Sequence, residues 1–410
     1  MRRASVLATL MVAAAVLAAP ADAAKAPPEF FGIVPQATPS KADLARMRGT
    51  VDVLRMPIFW FECEPERGRY DFATVDGVIG AAAARGIELL PFVYGTPAWL
   101  GRQERPPLNG EALARWKGFL RVLVARYGPG GSFWRGRARR EPIRRWQIWN
   151  EPNFRLYWAP RIEPAGYARL LRAAATAIRG ADPAARVVLA GVAPVGYGMK
   201  TWVFIRRLLR VPGVRRDFDF AAIHPYAATI AELDYQLGKV RAAMAAGGAA
   251  RKPLIVTEFG VASHADYPSA FVEGEEGQAR FLRDAFERLL AMRHRWRIAG
   301  AYWYAWQDEA SADPHCSFCQ GAGLLRLDGT PKPAWFAYRR LTIAARTRRA
   351  ARAPRRRAVE LAPGPSDHGA KPPVFLTPSH HSRLCCGANL SLCERKAPQP
   401  QGGCRWAEKS

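Results

Sequence analysis

Arg186-Val187-Val188-Leu189-Ala190-Gly191-Val192-Ala193 carries no charge after its first residue and no alternation of apolar with polar side chains. Such a run suits a strand of a parallel sheet buried on both faces. The stretch before it, 163–179, has a different period. Tyr167, Leu170, Leu171, Ala174 and Ile178 recur at helical spacing, and Pro164 stands where a first helical residue would. The same alternation of short apolar run and amphipathic stretch extends in both directions. Strands are expected at 30–34, 52–58, 87–94, 143–150, 186–193, 218–226, 253–259 (with Leu254-Ile255-Val256) and 297–306. Further helical stripes lie at 275–292 and 332–346. Eight strands each followed by a helix define an α/β chain of the (β/α)8 TIM barrel class. The competing doubly wound sheet usually has a glycine-rich phosphate turn after its first strand, and Ile33-Val34-Pro35-Gln36 has none.

Composition narrows what such a barrel does. The 410 residues are 49% hydrophobic and include 13 Trp, which excludes a wholly disordered chain. Residues 1–24 read as a signal peptide: Arg2 and Arg3, an apolar stretch from Val6 to Leu17, then Ala21-Asp22-Ala23. A secreted, extracellular protein is therefore expected. No other apolar run approaches the roughly 20 residues of a membrane span. The net charge of +26 raises nucleic acid as a partner, but no nucleic-acid-binding motif accompanies it. Residues 344–410 alone hold 13 Lys/Arg against 4 Asp/Glu. The segment 347–410, with Arg355-Arg356-Arg357 and Pro398-Gln399-Pro400-Gln401, reads as a basic disordered tail, and anionic envelope polymers are its natural electrostatic partner. The expected catalytic domain is then 25–346. In an exported chain cysteines tend to pair, and Cys316 with Cys319 reads as a local disulfide clamp on a loop.

Residues at the C-terminal ends of barrel strands point into the mouth. Here those ends bring Arg55 and Trp60, Tyr94 and Trp99, Trp149-Asn150-Glu151-Pro152-Asn153, His224-Pro225-Tyr226, Thr257-Glu258-Phe259-Gly260, and Tyr302-Trp303-Tyr304 with Trp306. Two carboxylates, Glu151 and Glu258, face one another across this mouth amid aromatic faces and polar edges. Glycoside hydrolysis uses such a pair, one as proton donor and the other as nucleophile or base. No metal ligand cluster is evident and no cofactor is called for.

Trp146-Gln147-Ile148-Trp149-Asn150-Glu151-Pro152-Asn153 and Ile255-Val256-Thr257-Glu258-Phe259-Gly260 resemble the two catalytic strands of the clan A glycoside hydrolases, the cellulase-like and β-xylosidase-like families. The resemblance spans about 29–346. It implies a retaining enzyme that cleaves a β-linked oligo- or polysaccharide, with Glu151 as acid/base and Glu258 as nucleophile. It also implies that Asn150 bonds the sugar 2-hydroxyl, that His224 and Tyr226 orient Glu258, that Trp303 floors the cleaved sugar's subsite, and that Arg55 lies near the nucleophile. Trp60 joins the expected sugar contacts. The loops 129–142 and 308–322 are read as cleft walls, with Asp308 and Glu309 as rim charges. A catalytically silent carbohydrate-binding barrel and a surface adhesion protein are the alternatives; both candidate glutamates being present argues against the silent barrel.

Overall fold

A computed structural model describes residues 26–351 apart from 195, 197, 267, 311–315 and 317. The expectations for 1–24 and for the tail beyond Ala351 lie outside the described residues. Eight strands, β1 (Phe31–Val34), β2 (Val53–Phe59), β3 (Glu88–Tyr94), β4 (Arg145–Ile148), β5 (Arg186–Val192), β6 (Phe220–Ile223), β7 (Leu254–Phe259) and β8 (Ile298–Tyr304), pair in parallel in sequence order, and β8 returns to β1. The barrel is closed. All eight expected strands form, and most ends fall within two residues of the expected bounds.

Helices α1 (Lys41–Met47), α2 (Trp60–Cys63), α3 (Ala73–Ala83), α4 (Gly110–Tyr127), α5 (Pro164–Ala181), α6 (Thr201–Leu209), α7 (Ile230–Ala246), α8 (Gly274–Trp296) and α9 (Pro333–Ala351) follow the strands. The one-turn α2 is additional to the eight-unit pattern, and α9 runs five residues past the expected boundary at 346. In α5 Pro164 does occupy the first turn, and Tyr167, Leu170, Leu171, Ala174 and Ile178 are buried against the barrel. None of the described helices is long and apolar enough to cross a membrane.

Strand parity sorts the core into two layers. Val34, Val53, Leu90, Val188, Ala222, Ile255 and Tyr302 come from seven strands and form an apolar plug inside the barrel. The intervening strand residues, such as Leu54, Trp146, Val187 and Val256, join the larger layer between sheet and helices. The plug seals the lower barrel, so polar side chains above it face upward into the mouth.

Candidate active site

Two steps above Val53 in β2, the same inward parity carries Arg55, which is fully buried. Its guanidinium organises the mouth. Nε donates to Gln147 Oε1 at 2.7 Å, Nη1 to Glu258 Oε1 at 2.5 Å, and Nη2 to Asn150 Oδ1 at 2.9 Å. Its flat face lies 4.1 Å from the centre of the Phe92 ring. A planar fork with donors in three directions is what only arginine supplies. Gln147 in turn donates to Leu189 O at 2.9 Å. With Oδ1 of Asn150 engaged by Arg55, its amide N–H groups are left for the cavity that Asn150 lines.

Glu258 is reached by a break in parity. Ile255 points inward and Val256 outward, so strict alternation would send residue 258 into the helix layer. The pairing of β7 with β8 shifts register between Val256 and Phe259, and such an irregularity re-aims side chains. Glu258 thereby lines the cavity, with Oε1 on Arg55 and Oε2 accepting from the Tyr226 hydroxyl at 2.6 Å. Burial and the neighbouring Glu258 charge push the Tyr226 phenol well above its usual range, so it stays a donor.

Glu151 sits just past β4, where Trp149 and Glu151 both take positive φ, 72° and 38°. Non-glycine residues hold such conformations only where surrounding contacts enforce them. Here the Glu151 N–H donates to Gly191 O at 3.0 Å, and the Asn153 side chain ties the turn to Ala193 and Met199 carbonyls. Glu151 Oε1 lies 2.6 Å from His224 Nδ1. Burial, then the charge on Glu258, raises the Glu151 carboxyl well above the ordinary range, so it holds its proton. Burial, then the Arg55 charge, pushes His224 well below its ordinary range and keeps the ring neutral. His224 Nε2 is buried without a partner, and an orphaned N–H costs more than an orphaned lone pair. We therefore assign the ring proton to Nδ1, facing Glu151 Oε1, which leaves Oε2 to carry the acid proton. Only glycine fits opposite this ring, since a Cβ at Gly191 would fall 1.8 Å from Nε2.

The structure thus brings Arg55, Asn150, Glu151, His224, Tyr226 and Glu258 together and leaves out both expected tryptophans. Trp60 is 0% exposed; it follows the inward Phe59, so parity turns it outward onto Trp116 and Phe119, with its indole N–H on Glu64. Trp303 is also 0% exposed and packs on Phe259 and Phe281, while its neighbours of opposite parity, Tyr302 and Tyr304, face the barrel axis. Tyr304, not Trp303, lines the cavity. His224 contacts the acid at 2.6 Å and Glu258 only at 3.4 Å, so it orients Glu151 first. The loop 129–142 precedes β4 and belongs to the opposite end of the barrel, where it encloses its own shallow hollow. Asp308 is no rim charge but pairs with buried Lys332 at 2.7 Å. The Cys316–Cys319 disulfide is present, and both cysteines line the cavity wall with Phe318. Tyr157 and Phe154 also line the cavity; no strand-end argument reaches them, because they lie beyond the β4 turn.

The cavity measures about 420 Å³, ample for a sugar ring. Among the described residues, Glu151, His224 and Glu258 are the one group whose metal-ligating atoms converge, all within 4.8 Å. A cation there would compete with the Arg55 guanidinium for Glu258 and with the proton on Glu151. Two unlike carboxyls at this spacing, one protonated and one against a guanidinium, can instead donate a proton and attack an electrophile.

A family model described as glycosyl hydrolase catalytic core matches residues 139–336. No curated protein matches the chain. Among solved structures, a family 39 glycoside hydrolase from Bacteroides cellulosilyticus WH2 superposes with a TM-score of 0.57 at 22% identity, over 78% of this chain and 63% of the other. The chain thus spans less than two thirds of that relative's length. A monomeric beta-xylosidase from Caulobacter crescentus CB15 gives 0.57 at 20% identity over 78% and 69%, and GH5_18 from Streptomyces cattleya in complex with GlcNAc gives 0.58 at 19% over 79% and 81%. At these identities the solved structures speak to the fold. The family match itself covers just under half of the chain, from the segment before β4 to the first turn of α9.

Proposed function

We propose that the protein is a retaining glycosidase that cleaves a β-linked glycan by double displacement. The observation that carries this reading is the pair of unlike carboxyls, with oxygen atoms of Glu151 and Glu258 inside 4.8 Å of one another. Retaining enzymes place theirs about 5–5.5 Å apart, whereas an inverting enzyme leaves about 6.5–9.5 Å for a water. Glu151 gives its Oε2 proton to the glycosidic oxygen as the Glu258 carboxylate attacks the anomeric carbon, and the bond to the leaving sugar breaks. Water then yields a proton back to Glu151, attacks the same carbon and displaces Glu258. Asn150 offers its amide N–H groups to a hydroxyl of the bound sugar, and Tyr304 with Phe92 walls the ring. Export through residues 1–24 and contact of the basic tail with anionic envelope polymers complete the proposal.

The test has two parts. Reducing-end release is measured on glucan, xylan, mannan and galactan with the wild type and Glu258→Ala in parallel; release by the wild type alone is expected. Proton NMR of the first-formed product should show the β anomer. An α product, or equal release by both proteins, would refute the assignment.

A further inference from the structure

Glu258 is held by Arg55 on one oxygen and by the Tyr226 hydroxyl on the other. Arg55 is fixed by its own three bonds, whereas the aim of Tyr226 depends on what stands beside its ring. Among the described residues the nearest ring is Phe318, edge-on with centroids 5.0 Å apart; Tyr304 stands at 6.1 Å and His224 at 6.4 Å. Phe318 is buried, and Phe271 backs it at 5.1 Å. The rest of this small cluster is Ala262, Ala305 and Ala322, which offer only methyl groups to a phenol ring.

Phe318 lies inside the four-residue ring that the Cys316–Cys319 disulfide closes. One end of that ring is fastened to the barrel. Cys319 O accepts from Gln36 Nε2 at 3.1 Å and from the Ala322 N–H at 3.2 Å, and the Tyr304 hydroxyl donates to Cys319 Sγ at 3.1 Å. Two residues on, Gly321 O accepts from the buried Lys332 ammonium at 3.0 Å. The disulfide carries this anchorage across to Cys316, so the backbone is fixed on both sides of Phe318. A residue ordered beforehand by its surroundings presents its side chain in one place at no further entropic cost. Both cysteines line the catalytic cavity, where a small reductant can reach them.

Resting on the glycosidase reading, we infer that Phe318, clamped by the Cys316–Cys319 bond, is a positioning residue for Tyr226 and through it for Glu258, so that breaking this bond slows attack on the anomeric carbon. The test is a double-mutant cycle read in kcat/KM on the best 4-nitrophenyl glycoside, a quantity that reports steps up to that attack. Phe318→Ala should lower it about three- to tenfold, which is what the loss of one aromatic pair converts to. In a Tyr226→Phe background no hydroxyl remains to be aimed, and the same change should cost less than about twofold. A Phe318 that touches the sugar, or only props up the wall, would cost the same in both backgrounds, and the inference would be overturned. Should Phe318→Ala not fold, reduction of the folded protein repeats the cycle. Tris(2-carboxyethyl)phosphine turns the disulfide into two thiols while its phosphorus takes an oxygen from water. The expected fall in kcat/KM appears in the wild type, is absent in Tyr226→Phe, and is absent in the double variant Cys316→Ser, Cys319→Ser, which starts low. Unchanged activity on reduction, or an equal fall in the double variant, overturns the clamp. If no glycoside is cleaved, the glycosidase reading falls by itself. The clamp is then judged by carbon-13 NMR of the Tyr226 ζ carbon, assigned by its loss in Tyr226→Phe: a shift on reduction that the double variant does not show sustains it, and any other result ends it.

Discussion

Arg55→Lys separates a charge from a fork. Both side chains place a cation beside Glu258, but lysine has a single ammonium on a flexible stem. In the native mouth the guanidinium serves three acceptors, Gln147 in β4, Asn150 in the turn after it and Glu258 in β7. Lysine can keep the Glu258 contact and loses the other two, leaving two buried carbonyl oxygens without donors. Hydrogen bonds from a charged donor contribute about 1.5–3 kcal/mol each, so the loss is roughly 3–6 kcal/mol. At a few degrees per kcal/mol, melting should fall by on the order of 10 °C. The folded fraction at 25 °C should still turn over, about a hundredfold more slowly, because Asn150 and Glu258 no longer share one anchor and misplacement by an ångström costs about that much. Near-UV circular dichroism against temperature and kcat/KM on the best 4-nitrophenyl glycoside provide the two readouts. A melting point within 2 °C of wild type together with kcat/KM within threefold would show that the positive charge alone matters, and the hub role of the guanidinium would be wrong.

Three other perturbations probe separate parts of the site. His224 does not line the cavity but bonds Glu151, so His224→Ala should lower kcat about 10–100-fold with KM within about threefold; an unchanged kcat with a raised KM would contradict this. The Glu258 charge is the second cause, after burial, that keeps Glu151 protonated, so the alkaline limb of the wild-type kcat/KM profile should lie above the ordinary carboxylate range. Glu258→Gln removes that charge and should move the Glu151 titration downward, read by carbon-13 NMR of the carboxyl; an upward or absent move refutes the coupling. Trp60 packs between α4 and its own turn, so Trp60→Ala should cost about 3–5 kcal/mol in denaturant unfolding and leave KM of the folded enzyme within twofold.

Much of this architecture is legible from residue order, and the errors have a common origin. Val187–Ala190 and Leu254–Val256 read as strands because a barrel strand is buried on both faces, which leaves nothing for a polar side chain to do. Arg55, Asn150, Glu151, Tyr226 and Glu258 are found because strand ends open into the mouth. What a strand-end rule lacks is parity. It cannot separate Trp60 from Phe59 or Trp303 from Tyr304, where one residue's difference exchanges the cavity for the helix layer. Glu258 escapes that ambiguity only through a register shift that no hydrophobic pattern signals. Apolar periodicity marks segments without saying which loops follow strands, so the 129–142 loop reads as a cleft wall although its path from α4 to β4 puts it at the bottom. Lys332 beneath Asp308 has no local signature, since it arrives from a turn 24 residues further on.

Gly191 and His224 constrain one another as well as the site. Their close approach means that neither position can drift alone: a side chain at 191 displaces the imidazole, while a smaller residue at 224 leaves the acid unguided and a hole beside the glycine. Exchange would require both codons to change together, with the intermediate paying in activity. The two positions therefore act as one unit, and the placing of the acid rests on the emptiness of the residue behind the imidazole.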